Sequence, residues 1–399
     1  MKQYKLLILG ASNTQLPIIH KAIELGYYVI TVDNLPNNIG HQFSHESVNC
    51  STVDQDGVLK FSQALNINGI VTFASDIATS TVAFVAAHMG LPACSIKVAE
   101  TMSNKACFRT FQAQHKRPCP QFFISDSISA LEQQSPHLIP PLIFKPIDTS
   151  GSRGITKVED HQLNAYRKAF TYAQNFSRAQ KVSVEAYIEG IDVSGDGFLI
   201  DGQLYAMVTQ KYKRGFMPTG HSLPSKLAPK DQQRIYAEVT KTCQALGYNN
   251  GPIDFDVKIS DERIIIIEMG PRLGGNGIPE LIRRSSGIDL IEMTLQYALN
   301  IPISAPASIN AGIPCGSWIF GSETAGLIEH LAAQQEIRTQ VPELFECRFN
   351  YHMGDHIPAF EHSGNSLGYA LFDCPAESDY QNIVTRLRSA MQLRIATEK

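Results

Sequence analysis

The 399-residue sequence lacks several patterns that identify common classes of protein. Its eight cysteines include no C-x-x-C pair, which excludes a zinc ribbon or dithiol redox site and is typical of reduced cytosolic thiols. No apolar run is long enough to span a membrane, and Leu6–Leu9 is too short for a secretory signal. The formal net charge is -4, without a Lys/Arg run. We therefore expect a cytoplasmic protein with no membrane or nucleic-acid partner.

Two nucleotide-binding fingerprints are also missing. The first strand is followed by Gly10 alone, without the other glycines of G-x-G-x-x-G, and no Walker A order occurs anywhere. Asp33 ends the second strand, as an acid often does in a sheet of this kind. An NAD site at Gly10 and Asp33 is therefore the weaker interpretation of this region, and a structural sheet is the stronger one.

The order of predicted elements indicates an α/β region followed by α+β regions. Strands and helices alternate over the first hundred residues, which predicts a doubly wound, Rossmann-like parallel sheet. One amphipathic helix is expected over Thr101–Gln114, with Ser103 or Asn104 as a cap. The middle of the chain is mostly strand, with a flexible run from Lys211 to Gly220, and the last ninety residues mix strands with a final helix.

A lysine and a small, flexible loop follow the apolar strand that begins at Leu142. Lys145 ends the strand, and the loop contains Ser150, Gly151, Ser152 and Gly154. Backbone N–H groups of such a loop can surround phosphate oxygens, and a nearby ammonium neutralises their charge. A second strand-like run comes next, so the pattern predicts a hairpin lid over phosphates. An ordinary hairpin with an exposed lysine fits the same residues.

The segment from Glu185 to Asp192 indicates a strand, a glycine turn and a new strand. A backbone linker at Glu185, Ala186 and Ile188 can offer carbonyl and N–H groups to the edge of an adenine. Asp192 can accept hydrogen bonds from two ribose hydroxyls. The alternative is a plain strand–turn–strand with solvated acids.

Two alternating strands around Ser260 predict a β-hairpin that brings two acids together. If Ser260 faces Ile264, Asp256 and Glu268 lie opposite each other with Cβ atoms roughly 4.5–5.5 Å apart. Carboxylates this close repel unless a cation joins them, and Mg²⁺ is commonly held by one or two carboxylates plus phosphate oxygens. The pattern therefore predicts a Mg²⁺ site, which Mn²⁺ can also fill. A solvated carboxylate at the strand end is the alternative.

An arginine and a glycine-rich turn follow Glu268 directly. Arg272 can clamp a carboxylate with two hydrogen bonds and stabilise a transferring phosphoryl group. Gly274 and Gly275 allow a backbone to approach a ligand closely. In the alternative interpretation, Arg272 only braces Glu268.

Taken in order, these segments resemble the ATP-grasp superfamily across most of the chain. The likeness rests on Ile143–Pro146, on Glu185–Ile188, and on the two acids Asp256 and Glu268. Within the superfamily, the run from Arg272 to Ile282 and the later Gly287–Leu290 are similar to carbamoyl-phosphate-synthase-like proteins and L-amino-acid ligases.

The resemblance implies a three-part architecture and a set of roles. Residues 1–97 would form a Rossmann-like pre-ATP-grasp domain, residues 98–305 an ATP-grasp fold with a lid subdomain at about 118–188, and residues 306–399 a C-terminal α+β module. Lys105 would be a first phosphate lysine and Lys145 a second, catalytic one. The other ATP contacts implied are Ser150, Gly151, Ser152, Gly154, Glu185, Ala186, Ile188 and Asp192.

Substrate contacts follow from the same reading. Arg272 would be catalytic and, with Gly274, Gly275 and His221, would bind the substrate; an ordinary loop histidine is the alternative for His221. Two positions depart from the family pattern. Gly270 stands where many members have an asparagine metal ligand, and Asp256 stands where glutamate is usual.

These residues together predict an ADP-forming ligase. A carboxylate would be activated by Mg·ATP as an acyl phosphate, and its acyl group would pass to an amine. The expected substrates are small, amino-acid-like molecules. Relatives of this kind are usually dimers, so a homodimer is also expected. Three alternatives stay open: a bicarbonate-activating carboxylase or carbamoyl-phosphate-type enzyme, a nucleotide-binding protein without catalysis, and an NAD-dependent oxidoreductase.

Overall fold

A computed structural model of the protein describes residues 3–260, 263–375 and 379–396. The amino-terminal segment forms a parallel sheet in the order β3-β2-β1-β4, as the alternation predicts. Its elements are β1 (Lys5–Leu9), α1 (Leu16–Glu24), β2 (Tyr28–Asp33), β3 (Glu46–Asn49), α2 (Gln55–Leu65), β4 (Gly69–Thr72) and α3 (Asp76–Met89). Leu7, Leu9, Ile30 and Val32 are buried in its core, which accounts for their apolar character.

The next segment contains two helices where one was predicted. They are α4 (Ile96–Ser103) and α5 (Lys105–Gln114). Asn104 separates them because its backbone is extended and its side-chain oxygen accepts hydrogen bonds from the N–H groups of Ala106 and Cys107. The prediction of a helix that runs through Gln114 with Asn104 as its cap is confirmed by α5, whereas α4 was not predicted.

An antiparallel sheet in the order β5-β8-β6-β7 follows α5. Its elements are β5 (Phe122–Ser125), α6 (Ile128–Gln134), β6 (Leu142–Pro146), β7 (Thr156–Val158), α7 (Leu163–Phe176) and β8 (Val182–Ala186). Phe144, Tyr166, Phe170 and Val184 form the core between the sheet and its helices. The predicted strand–loop–strand around Lys145 is the pair β6 and β7.

The middle of the chain contains β9 (Ile191–Ile200), β10 (Gln203–Arg214), β11 (Met217–Leu223), α8 (Pro229–Leu246), β12 (Gly251–Ile259), β13 (Ile264–Gly270), α9 (Ile278–Ser286) and α10 (Leu290–Ala298). β12 lies between β9 and β13 and is antiparallel to both. Residues 210–214 of β10 pair with β11, so the expected flexible run from Lys211 to Gly220 is wrong.

The last segment contains β14 (Cys315–Phe320), β15 (Gly326–His330), α11 (Gln334–Gln340), β16 (Leu344–Phe349), β17 (His356–Ile357), β18 (Gly368–Asp373), α12 (Asp379–Met391) and β19 (Arg394–Ala396). β11, β14, β18 and β16 are consecutive antiparallel neighbours in one sheet, and β17, β15 and β19 form a small second sheet. Trp318, Phe320, Phe372 and Leu387 lie in the core of this segment. The predicted final helix begins before α12, at residues outside the described part.

The chain divides into two compact units. The first comprises Met1–Ala206, Ala228–Gly275 and Asp289–Ser308, and the second comprises Met207–Leu227, Asn276–Ile288 and Ile309–Lys399. The three-domain division expected from the sequence stays a prediction. No helix in the described part of the chain combines the length and apolar character needed to cross a membrane.

Candidate active site

A group of polar side chains covers one face of the three strands β9, β12 and β13. We call this group the acidic face; it comprises Asp192, Ser194, Asp196, Asp254, Asp256, Lys258 and Glu268. The members share a face because successive side chains of a strand alternate and because each lies opposite another member or opposite Gly270. The sequence alternation around Asp256 was therefore a correct signal of one polar surface.

The predicted pairing of Asp256 with Glu268 is confirmed, with an irregularity beside it. Asp256 lies opposite Glu268, but the register then shifts by one residue, and Ile259 rather than Ser260 faces Ile264. The extra residue is Ile267, which has no partner across the hairpin. The bulge explains why the carboxylates meet although the pairing expected at the turn is wrong by one residue.

The surroundings of this acid pair fit a hard divalent cation. The Ser194 hydroxyl donates a short hydrogen bond to Asp256, and Lys105 Nζ lies 3.2 Å from Glu268 Oε1. The Glu268 side chain is 28% exposed, so the pair is open to a ligand. Within the described residues, no three His, Cys, Asp or Glu side chains gather as a metal site. An ion held here would complete its shell with phosphate and water oxygens.

Lys105 links the acid pair to the loop after β6. It is the first residue of α5, and its Nζ donates a 2.7 Å hydrogen bond to the carbonyl of Thr149 as well as contacting Glu268. Its backbone N–H donates to the carbonyl of Ile147. The ammonium therefore lies between the predicted lid loop and the predicted metal ligands, where a phosphate lysine is expected.

Lys145, Glu185 and Arg109 form a buried ion cluster. Lys145 Nζ lies 2.9 Å from Glu185 Oε2, and Arg109 Nε lies 3.1 Å from Glu185 Oε1. All three are almost fully buried, and the cluster carries two cations for one acid. The alternative of an exposed Lys145 is therefore wrong. The Glu185 side chain pairs with cations, and its backbone lies within the sheet opposite Phe122 of β5 and Ile143 of β6, so the adenine contact of this residue stays a prediction.

The pKa values in the buried ion cluster follow from burial and the surplus of positive charge. Burial lowers the pKa of Lys145 to about 8, although Glu185 opposes this effect. Burial alone would raise the pKa of Glu185, but Arg109 and Lys145 outweigh it and lower that pKa to about 2. At neutral pH the cluster thus has a net positive charge that an anion can offset.

Arg109 was not identified from the sequence, although it connects the buried ion cluster to the hairpin. Its Nη2 donates a 2.9 Å hydrogen bond to the carbonyl of Ile267, the extra residue of the bulge, and Nη1 donates to Gln112 and to the carbonyl of Ile266. The sequence did contain a signal, because Arg109 and Gln112 have the helical spacing that places them with Phe108 on the buried face of α5.

Arg272 is held by two carboxylates. Its Nε donates a 2.8 Å hydrogen bond to Asp76 Oδ1, and its Nη1 lies 2.5 Å from Asp254 Oδ2. Burial would lower the pKa of Arg272, but the carboxylates of Asp254 and Asp76 outweigh this effect and raise the pKa above its ordinary value. The alternative in which Arg272 braces Glu268 through hydrogen bonds is not what the structure shows. Neither Asp76 nor Asp254 was identified from the sequence.

Gly270 is explained by this arginine. A Cβ atom at position 270 would lie 3.0 Å from Asp76 Oδ1 and 3.2 Å from Arg272 Nε. The pair of Arg272 and Asp76 therefore occupies the space that an asparagine side chain would need. An ion pair therefore fills the space beside Gly270, the position at which the resemblance implied an asparagine.

Asp196 and Asp254 lie opposite each other and share this part of the acidic face. Burial and the Asp254 carboxylate raise the pKa of Asp196, and burial raises the pKa of Asp254 to about 6 against the charge of Arg272. Asp196 accepts a 2.9 Å hydrogen bond from the N–H of Gly274. A Cβ atom on Gly274 would lie 2.8 Å from Asp196, so the close approach that this glycine permits is to Asp196.

The loop between β6 and β7 has the backbone expected of a glycine-rich turn. Gly151, Ser152 and Gly154 all have positive φ angles, of 72°, 63° and 72°. A Cβ atom on Gly154 would lie 2.9 Å from the Phe176 side chain, so this glycine also permits close packing. Ser150 accepts a 3.1 Å hydrogen bond from Arg153 through its carbonyl, which closes the turn.

The predicted adenine linker begins within β8, whose last two residues are Glu185 and Ala186, and continues beyond it to Ile188. The N–H of Ala186 donates to the carbonyl of Gln121, so this donor is already used. Asp192 Oδ2 lies 3.2 Å from Lys258 Nζ, and the two face each other across β9 and β12. Ile188 lies between Ala186 and Asp192 in the sequence. The nucleotide roles of these residues stay predictions.

His221 belongs to the second unit and lies within β11 rather than in a loop. It is buried, its Nδ1 lies 3.0 Å from the hydroxyl of Thr209, and its backbone N–H donates to the Ser317 hydroxyl. The alternative of a loop histidine is therefore wrong. Its role toward a substrate, like that of Gly275, stays a prediction.

Comparison with known proteins agrees with this geometry. Residues 138–280 match the ATP-grasp domain family. The chain is 26% identical over 311 residues to a formate-dependent phosphoribosylglycinamide formyltransferase of Francisella tularensis, covering 75% of this chain and 78% of that protein. It is 20% identical over 331 residues to an L-arginine-specific L-amino acid ligase of Bacillus subtilis, covering 79% and 77%.

A solved structure shows the same fold. The L-amino acid ligase from Bacillus licheniformis superimposes with a TM-score of 0.82 at 21% identity, over 100% of both chains. The fold and the matched domain define the class: residues 138–280 form an ATP-grasp domain, and the chain as a whole is similar to ATP-grasp ligases. The resemblance stated from the sequence is confirmed.

Proposed function

We propose that the protein is an ATP- and Mg²⁺-dependent carboxylate–amine ligase that acts through an acyl phosphate on amino-acid-like substrates. The observation that carries this proposal is the pairing of Asp256 with Glu268, with Lys105 in contact with Glu268. The two acids supply the oxygen ligands, and Lys105 supplies a cation for phosphate. A Mg²⁺ ion bound by these acids would neutralise charge on the triphosphate.

The chain's own cations would hold the transferring phosphate. The buried ion cluster has one more positive charge than its acid neutralises, and Lys145 is its member at the end of β6. Lys105 contacts the loop that contains Ser150, Gly151 and Ser152. Phosphoryl transfer needs little covalent help from a protein, so positioning and charge neutralisation by these groups would supply the rate.

The carboxylate substrate would then attack the γ-phosphorus, and ADP would leave. The acyl phosphate formed would react with an amine, which loses a proton as the C–N bond forms and inorganic phosphate departs. Arg272 would orient the carboxylate. Because Asp76 and Asp254 already hold this guanidinium, we infer that it acts with a fixed orientation rather than by swinging toward the substrate.

The substrate class is supported by the relatives, which are named for formate and for L-arginine. Activation of bicarbonate is the second candidate. Gly270 favours a third, binding of nucleotide without catalysis, because the position cannot supply a metal ligand. We further propose a cytoplasmic location, consistent with free thiols at all eight cysteines, and a homodimer as the working assembly.

A screen of phosphate release with Mg·ATP and pairs of amino acids tests the proposal. Release that requires two amino acids, and that falls in Arg272→Lys but not in Arg284→Lys, would support it. Arg284 pairs with Asp373 at the surface and is the matched control. Release stimulated by bicarbonate alone would favour the carboxylase, and ATP binding without release over the whole panel would favour the non-catalytic alternative.

A further inference from the structure

The bulge in β13 decides which face of the hairpin Glu268 occupies. The ladder between the turn and Ile266 is regular. Continued without a bulge, the same register would place Ile267 opposite Asp256. Glu268 would then lie opposite Phe255, a fully buried residue whose side chain points to the other face of β12. The extra residue is therefore what turns Glu268 toward Asp256 and onto the acidic face.

Two buried side chains of α5 hold this bulge. Arg109 donates a 2.9 Å hydrogen bond from Nη2 to the carbonyl of Ile267 and a 3.3 Å hydrogen bond from Nη1 to the carbonyl of Ile266. Gln112 Nε2 donates a 3.0 Å hydrogen bond to the same carbonyl of Ile266, and Gln112 Oε1 accepts a 2.7 Å hydrogen bond from Arg109 Nη1. Successive carbonyls of a regular strand point to opposite edges, so two such contacts from one guanidinium match the bulged register.

The same guanidinium contacts the acid that pairs with Lys145. Arg109 Nε lies 3.1 Å from Glu185 Oε1, and Lys145 Nζ lies 2.9 Å from Glu185 Oε2. All three side-chain nitrogens of Arg109 thus contact protein groups, and the side chain is fully buried. An arginine in this position acts through the groups that it holds, and these are the hairpin and the buried ion cluster.

We propose that Arg109 is a positioning residue, which fixes the bulge at Ile267 and thereby aims Glu268 at the divalent cation. Lys105 lies one helical turn before Arg109 on α5 and contacts the Glu268 carboxylate directly, so the helix fixes both the backbone before Glu268 and its side chain. The proposal rests on the proposed ligase function, because that function assigns the cation to Asp256 and Glu268.

The first experiment measures the affinity of the full chain for Mn²⁺ by electron paramagnetic resonance, with and without a non-hydrolysable ATP analogue. Arg109→Met should weaken Mn²⁺ binding about 10–100-fold, as loss of a group that orients a metal ligand typically does. Gln112→Leu should weaken it less, because Arg109 still holds both carbonyls. Arg117→Lys, which can keep the pair with Glu238, is the control and should bind Mn²⁺ as the wild type does.

A double-mutant cycle separates positioning from a general loss of structure. Because Arg109 acts on the cation through Glu268, Arg109→Met should have little further effect on Mn²⁺ affinity in a Glu268→Gln background. Equal losses in the two backgrounds would overturn the proposal. Melting temperatures verify folding, and if Arg109→Met does not fold, Arg109→Lys decides. Its single ammonium can stay beside Glu185 but cannot also reach both bulge carbonyls, so Mn²⁺ binding should again weaken about tenfold or more.

Hydrogen exchange of the peptide that covers residues 264–270 measures the bulge without the metal. Exchange should be faster in Arg109→Met and unchanged in Arg117→Lys. Unchanged Mn²⁺ affinity in Arg109→Met, with Glu268→Gln still weakening it, would overturn the positioning role and leave the ligase function standing. If the wild type binds no Mn²⁺ but exchange is faster in Arg109→Met, the metal assignment of the ligase is wrong, and the role of Arg109 in fixing the bulge stands.

Discussion

The first unit contains two buried ionic groups with opposite balances of charge. The buried ion cluster has two cations, Lys145 and Arg109, for one acid, and its surplus charge suits phosphate. The group around Arg272 has one cation for three acids, which are Asp76, Asp254 and the nearby Asp196. Burial raises the pKa values of Asp196 and Asp254, which favours the neutral forms of these carboxyls. The sign of the surplus distinguishes a group that can offset the charge of an anionic ligand from one whose arginine is already held in place by carboxylates.

The largest expected effect comes from the acid pair between these groups. Glu268→Gln should lower ADP formation about 10²–10³-fold, because a metal ligand and the partner of Lys105 lose their charge, as when a single electrostatic group is removed from an active site. Phosphate release under saturating substrates measures it. Glu268 is partly exposed, so the melting temperature should hold. The exposed Glu24→Gln is the matched control, and full turnover in Glu268→Gln would refute the metal assignment.

Removing the acid of the buried ion cluster should cost stability. Glu185→Gln leaves Lys145 and Arg109 buried without a counter-charge, and the free energy of unfolding should fall by about 3 kcal/mol. Urea denaturation measures the loss. Glu132→Gln, which breaks the exposed pair with Arg167, should cost less than about 1 kcal/mol. Equal losses of unfolding free energy in the two variants would contradict the prediction that the buried ion cluster stabilises the fold more than an exposed ion pair does.

Completing the family's metal pattern should destabilise the group around Arg272. Gly270→Asn places a side chain against Asp76 and Arg272 and should cost about 1–3 kcal/mol without improving Mg²⁺ affinity. Gly247→Asn is the control, because that position is open and its left-handed backbone suits asparagine. Tighter Mg²⁺ binding with unchanged stability would show that the space is not needed for the ion pair.

The most gradual effect is a dependence of stability on pH. The pKa of Lys145 is lowered to about 8 from 10.5, so between these values the unfolded chain binds more protons than the folded one. The free energy of unfolding should therefore rise with pH over this window, by about 1 kcal/mol per unit. Lys145→Met should abolish this rise between pH 8 and 10, and the exposed Lys60→Met should keep it. An identical slope in both variants would contradict the assignment.

The sequence predicted the site best where the pattern is local. Alternation along β12 and β13 predicted the pairing of Asp256 with Glu268, although the register expected at the turn was wrong by one residue and the bulge restores the pairing. Even there, the bulge at Ile267 was not predictable, since its carbonyl is used by Arg109 from a distant helix. The segment from Lys211 to Gly220 was misread as flexible because its glycine and polar residues hide the pairing of β10 with β11.

By itself, the sequence determined the class of fold and the acid pair, since each depends on alternation along the chain, and it pointed to Lys145 through the strand and loop around it; Lys105 was predicted only from the family resemblance. Only the tertiary structure decided the partners of Arg272 and Glu185. Asp76 lies 196 residues before Arg272, and Arg109 lies on a helix far from β8 along the chain. Such pairs leave no periodic signal, and burial is what makes their charges count, because a low-dielectric surrounding strengthens every ionic contact and penalises every unpaired one.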